Sequence, residues 1–208
     1  MNMQVLNSGF VRLVESMGGD EAVIRNARRC WRSEAKTKNA DRQLLRHLLK
    51  AGHKTPFEAM VFTFDVKAPL FVARQWFRHR IGSYNEESLR YCVALRDYYI
   101  PEHLEGDVLE AWIRQNEVAF DFYDSLVGGT GPKKMAKEQA RSILPIGIYT
   151  TFYWTVNGSA LMNFLHLRLD KQAQYEIRQY AEAILELVKD VAPICFDEFE
   201  REVLKISG

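Results

Sequence analysis

The chain has 208 residues, with 28 Lys and Arg against 27 Asp and Glu, so its formal charge is +1 with histidine neutral. That balance argues against a broad nucleic-acid or membrane-surface binder, which carries a basic excess, while 47% apolar and 12% aromatic residues supply a real core for one domain. Charge interrupts every apolar stretch short of a membrane span, the start MNMQVLNSGFVRLVE has no basic segment leading into an apolar block, and Cys30, Cys92 and Cys195 fit neither a disulfide framework nor a CxxC site, so a cytoplasmic protein is expected.

In chain order, Gln4 to Leu6 and Phe10 to Val14 read as short strands, and Asp20 as the cap of a helix through Ala22, Ile24, Ala27 and Arg28. Asp41 caps a second helix, with Leu44, Leu45, Leu48 and Leu49 on one face and Gly52 at its end. Val61 to Val66 alternates as a strand with Phe62, Phe64 and Val66 on one side. Pro69 suits the first turn of a helix to about Ile81, buried through Leu70, Ala73, Phe77 and Ile81 and ended by Gly82-Ser83. Past Tyr98-Tyr99-Ile100-Pro101, a helical pattern spans Asp107 to Leu126, with Val108, Trp112, Ala119, Phe122 and Leu126 sharing a face. The glycines from 128 break it, and Pro132 opens a helix to about Leu144. Tyr149 to Val156 reads as a strand and Asn157 as a cap. Helices follow over 158–169, over 171–190 with Ala173, Ile177, Ala181, Ile184 and Val188 on one stripe, and after Pro193. Few strands among many helices predict one α+β domain over 1–208, a mixed or antiparallel central sheet flanked by helices.

Polar chemistry concentrates between Arg74 and Tyr91. Five arginines (74, 78, 80, 90 and 96) and no lysine stand between 74 and 96, which favours planar, bidentate contact with phosphate or carboxylate over a merely solvated face. On the expected helix, Arg78, His79 and Arg80 fan around the circumference and meet partners on more than one side. Cations near a helix C-terminus also answer its dipole, which suffices for one arginine but not for this run. Arg168 interrupts an otherwise apolar helix and needs an anion or carbonyl partner, either a ligand or a core ion pair with Glu138 or Asp170. His166 reads as a surface or packed residue. Gly129-Thr130-Gly131-Pro132-Lys133-Lys134 fails the spacing of phosphate-cradling loops, and the five histidines form no zinc pattern, so no metal is expected. Cys30 beside Trp31 has no base for thiol chemistry in the sequence.

The run from Arg78 through Ile81-Gly82-Ser83-Tyr84-Asn85-Glu86-Glu87-Ser88-Leu89-Arg90 to Tyr91 resembles the signature of the flavin-dependent thymidylate synthases. The likeness extends through Gly52 to Glu58, Phe71 to Phe77, Trp154 to Asn157 and Leu161 to Leu165, most of the chain. The resemblance implies reductive methylation of dUMP to dTMP, with 5,10-methylenetetrahydrofolate as carbon donor, FAD as redox carrier and NADPH as reductant. It also implies a homotetramer with sites where subunits meet. It places Gln75, Trp76, Phe77, Arg78, Glu86, Glu87, Ser88, Leu89, Arg90, Arg141 and Arg168 around dUMP, and Thr55, Arg78, His79, Arg80, Glu86, Asn157, Ser159 and Asn163 around FAD. Arg168, His53 and Ser88 are its catalytic candidates. His53 is expected near the flavin or folate, and Ser88, with no adjacent base, is expected to bind rather than attack. No Rossmann fingerprint is present, so FAD is expected to be held by side chains. Ser159 stands where the family often has Arg, Cys30 where Ser is common and Leu89 where Gly is frequent. The same arginines, with Trp76, Tyr84 and Tyr91 as stacking surfaces, also admit a non-catalytic nucleotide or RNA binder, and a third reading is a structural oligomer held by arginine ion pairs.

Overall fold

The computed structural model describes residues 2–30, 32, 37–128 and 134–205. The strands are β1 (Asn2–Val5), β2 (Gly9–Met17), β3 (Val61–Pro69), β4 (Ser83–Glu86) and β5 (Tyr149–Asn157), and they form one sheet in the order β1-β2-β3-β5-β4. Every pairing among them is antiparallel, which settles the expected mixed or antiparallel sheet on the second. Alternation explains the centre: Phe62, Phe64, Val66 and Ala68 of β3 are fully buried, and β5 buries Phe152, Trp154 and Val156 beside them.

The helices are α1 (Asp20–Arg29), α2 (Lys38–Lys50), α3 (Leu70–Trp76), α4 (Gly106–Gly128), α5 (Lys137–Ala140), α6 (Gly158–Arg168), α7 (Tyr175–Lys189) and α8 (Pro193–Phe199), the last continuing as a π-helical turn, Glu200–Leu204. Tight 3-10 turns occupy Thr55–Ala59 and Arg141–Ile143. Helix α7 lays Ile177, Ala181, Ile184 and Val188 on the sheet as its periodicity predicts, but begins at Tyr175, leaving Ala173 in the preceding turn.

Capping differs in detail from the sequence reading. Asp20 opens α1, yet its carboxylate accepts from the backbone N–H of Ile194 (2.9 Å) and Cys195 (2.7 Å), so it caps α8 across the fold. Thr37 caps α2, while Asp41 sits in the first turn and pairs with Arg28. Asn157 caps α6 as expected, its Oδ1 accepting from Ala160 N at 2.8 Å.

Three helices depart from the expected bounds or faces. Helix α3 stops at Trp76 rather than Ile81, because the Tyr84 hydroxyl donates to the His79 carbonyl (2.7 Å) and β4 pairs with β5. Arg78, His79 and Arg80 therefore lie on a turn, not around a helix, and Ile81 is 71% exposed. In α4 the face buried against this chain is Asn116, Phe120 and Tyr123, whereas Val108, Trp112 and Phe122 of the expected face are exposed. The glycine-rich break and its Pro132 lie outside the described residues, and the helical structure after them is limited to α5 and the turn Arg141–Ile143.

Candidate active site

The turn after α3, the cap of α6 and its last residue converge on one cleft. Gly158 makes the convergence possible: its N–H donates to Met60 O (2.8 Å), and a Cβ there would stand 2.6 Å from the Phe57 carbonyl and 2.7 Å from Met60 Cε. The first turn of α6 is thereby drawn against the loop bearing Lys54 and Glu58. The resulting cleft, about 590 Å³, is lined by Lys54, Glu58, Arg78, His79, Arg80, Asn157, Ser159, Asn163 and Arg168, among others.

Arg168 is half-buried at the end of α6 and pairs with neither Glu138 nor Asp170. Its Nε donates to His79 Nε2 at 3.0 Å and an Nη to the Gln75 carbonyl at 3.4 Å. Burial lowers its affinity for a proton, but a guanidinium so far above neutrality stays charged. Burial, with the Arg168 charge adding to it, pushes the His79 imidazole down to about 4. The ring is therefore neutral at physiological pH, accepting at Nε2 and keeping a donor at Nδ1. It is fixed by packing on Phe164, with centroids 4.9 Å apart, and by the Tyr84 bond to its carbonyl.

Among the described residues, no carboxylate lies within 4 Å of Arg78, Arg80 or Arg168. With Lys54 they give the cleft a surplus of cations over Glu58, which suits an anionic diphosphate. A smaller apolar cleft of about 140 Å³ adjoins it, shares Lys54, Ser159 and Asn163, and is lined also by His53, Phe57, Met162 and His166. Cationic and apolar subsites side by side fit a large cofactor with a charged linker and flat rings. Thr55 is exposed at the start of its 3-10 turn, outside both linings.

The remaining residues lie elsewhere. Phe77, Glu86, Glu87, Leu89 and Arg141 line a third cleft of about 430 Å³ beside α5, together with Arg74. Thr150 donates to Glu86 Oε1 and Thr151 to Glu87 Oε2, both at 2.8 Å, which fixes the two carboxylates along β5. Arg90 faces Glu138 at 3.6 Å. Ser88 Oγ accepts from Arg90 N at 3.3 Å, and among the described residues no base contacts it. The Gln75 side-chain amide donates to Gln174.

Trp76 is a correction: it is fully buried between Phe152, Trp154, Phe164 and Tyr180, with ring centroids 4.9 to 5.7 Å away, and its indole faces no cleft. Tyr84 stacks on Trp154 inside the fold. Of the three proposed base-stacking surfaces only Tyr91 is exposed, which leaves the RNA-binding reading a single stacking ring beside its arginines. Sequence reasoning did not single out Lys54 and Glu58, which line the first cleft and stand in the Gly52 to Glu58 run that carried the resemblance, while Arg74, counted in the arginine cluster but assigned no ligand, lines the cleft beside α5.

Comparison with known proteins decides between the remaining readings. The family Thy1, thymidylate synthase complementing protein, matches residues 12–194, and a flavin-dependent thymidylate synthase of Thermosipho africanus is 44% identical over 96% of this chain and 94% of its own. The chain belongs to the flavin-dependent thymidylate synthase family. A family member from Thermotoga neapolitana is 43% identical, covering 99% of this chain and 97% of the relative. Among solved structures, the UMP/dUMP methylase PolB of Streptomyces cacaoi bound with 5-Br dUMP is similar, with a TM-score of 0.86 and 30% identity over 97% of this chain and 98% of that one. Family membership agrees with the resemblance carried by Arg78 to Tyr91, and no helix among the described residues is long and apolar enough to cross a membrane.

Proposed function

We propose that this chain converts dUMP to dTMP by reductive methylation, with methylenetetrahydrofolate supplying the carbon, NADPH the electrons and FAD the link between them, in a homotetramer whose sites are completed by neighbouring subunits. The observation that carries the reading is Arg168, a half-buried guanidinium oriented by His79 and the Gln75 carbonyl and left without a carboxylate in a cleft rich in cations. A structural ion pair would have neutralised it.

Bound FAD supplies the two-electron chemistry. Arg78, Arg80 and Lys54 would hold its diphosphate, joined by His79 through Nδ1–H and by Asn157, Ser159 and Asn163, while Thr55 and Glu86, which lie outside this cleft of the chain, would meet other parts of FAD. Asn157 spends its Oδ1 on the α6 cap, so only its Nδ2 hydrogens remain to donate to a ligand. Arg90 and Arg141 would grip the phosphate of dUMP, with Gln75, Phe77, Glu86, Glu87, Ser88 and Leu89 shaping its cradle. Arg78 would lie between nucleotide and flavin. Arg168 would face the uracil, where a pre-placed cation stabilises negative charge as N3 loses its proton or C5 becomes nucleophilic. His53, on the apolar cleft, would stand near flavin or folate.

The dispersal of these residues over separate clefts of one chain supports the assembly, since none of those clefts is lined by both Arg90 and Arg168 and a second copy could bring the two together. The visible spectrum of purified protein tests the proposal. Flavin absorbance that bleaches with NADPH and dUMP, and dTMP formed once methylenetetrahydrofolate is added, is the expected result; protein that takes up no FAD and forms no dTMP refutes it.

A further inference from the structure

The segment bearing Ser88, Leu89 and Arg90 is strung between two posts. It leaves the sheet at Glu87, whose N–H donates to Thr151 O at 2.9 Å, and returns at Tyr98, which bridges to Ile148. The second post is held from outside the sheet. Arg96 donates through Nη1 to Glu117 (2.6 Å) and Asp121 (2.8 Å) and through Nη2 to Asp124 (2.7 Å), three carboxylates spaced along one face of α4. Its guanidinium lies 5.6 Å from the Phe120 ring centroid, and Glu117 also accepts from the Tyr98 hydroxyl at 2.7 Å. Asp97 pulls the opposite way, pairing with Lys67 and accepting from Ser8 at 2.8 Å.

The same layer ties the middle of the segment. Ala94 N donates to the buried Tyr123 hydroxyl at 3.1 Å, Lys137 Nζ donates to Tyr91 O at 2.8 Å, and Glu138 faces Arg90. An isolated surface ion pair contributes little, but a planar fork converging on three carboxylates fixes orientation as well as charge. Without Arg96 those carboxylates would repel one another and the segment would lose its anchor to α4. One guanidinium facing three carboxylates is no anion ligand itself, because the cluster is net negative.

We propose that Arg96 is a positioning residue for nucleotide binding: it clamps segment 88–90 onto α4, so that Arg90 meets the nucleotide phosphate beside Arg141 of the same α4–α5 layer. The inference rests on the dUMP function proposed above. It predicts a defect in binding, not in chemistry, because neither Arg96 nor its three carboxylates line the cation-rich cleft that Arg168 closes.

In flavin-loaded full-length protein, Arg96→Gln is expected to raise the dUMP KM and the calorimetric Kd about tenfold, with kcat at saturation and flavin content little changed. Arg96→Lys should recover part of the loss, since an ammonium lacks the planar fork. The pair Glu117→Gln with Asp124→Asn removes acceptors while keeping Arg96, should also raise the dUMP KM, and carries the test if Arg96→Gln does not fold. A dUMP KM unchanged in the folded variants, with only the unfolding midpoint lowered, would reduce Arg96 to a stabilising contact and overturn the proposal. So would a dUMP KM that falls in the acid-neutralised pair, which would make Arg96 a direct phosphate ligand. Wild-type protein that binds no dUMP removes the underlying function and this inference together, and is told apart because the defect is already present without any substitution.

Discussion

Arg168 meets an imidazole and a carbonyl where an ordinary core arginine meets a carboxylate, and the difference governs what its charge is available for. A neutral acceptor orients the guanidinium without cancelling its field, which stays directed at the cleft. Arg168→Ala is expected to lower dTMP formation at saturating dUMP by about 10²- to 10³-fold while the flavin spectrum and the size of the assembly are retained; a dissociated protein would make the arginine structural instead. His79 is the other half of the pair, and its titration has a defined sign. Because its folded value, about 4, lies below the ordinary 6.5, the unfolded chain takes up the proton first. The stability contributed by the neutral ring is complete above pH 6.5 and is lost as pH falls through about 4. His79→Gln keeps an acceptor for Arg168 but does not titrate, so urea midpoints between pH 7 and 4 should fall less steeply in the variant than in wild type. Parallel curves would show that His79 is not held neutral.

At the level of elements, the site depends on how β5 hands over to α6, because Asn157, Ser159, Asn163 and Arg168 all follow from that junction. Gly158→Ala tests it. A methyl group there meets the Phe57 carbonyl at 2.6 Å and Met60 Cε at 2.7 Å, and overpacking of this kind costs about 1 to 3 kcal/mol, more than the up to about 1 kcal/mol of helix propensity that alanine returns. A lower urea midpoint with weakened FAD affinity is expected, and a stabilised variant would mean that the loop at Phe57 yields freely. Strand β3 was legible in the sequence because alternation over a half-buried strand has no competing period, and β5 because its residues are mostly aromatic or β-branched. The end of α3 was not. Leu70, Ala73, Phe77 and Ile81 keep helical spacing past Trp76, and what stops the helix is tertiary: Tyr84 capturing the His79 carbonyl and the short β4 docking on β5. In α4 apolar residues occupy more than one face, and spacing alone does not say which face meets this chain. Candidate site residues could be named from the motif, but their division between clefts could not, and Trp76 was misplaced because a motif marks neighbours in sequence without saying which side chains turn inward.

In a single chain the two arginines proposed to meet one nucleotide line different clefts. Arg90 lies by Glu138 and Lys137 on the α5 side, while Arg168 closes the cleft around Arg78 and Asn163, and no described cleft contains both. Helix α4 leaves Val108, Trp112 and Phe122 exposed, at 61%, 39% and 54%, an apolar face of the kind a neighbouring copy covers. If a site takes Arg90 from one copy and Arg168 from another, two inactive variants should repair each other. Arg90→Ala and Arg168→Ala, each purified and then mixed under conditions that exchange subunits, place an intact pair in a site only when the Arg168→Ala chain supplies Arg90 and the Arg90→Ala chain supplies Arg168. Random pairing of equal amounts gives that arrangement in about a quarter of sites in a symmetric oligomer. Activity of the mixture should therefore rise from near zero to roughly a quarter of wild type as exchange proceeds, with the rise following the appearance of mixed species by native mass spectrometry. Exchange without recovered turnover would place both arginines of a site on the same chain and refute the shared-site assembly, whatever the number of copies.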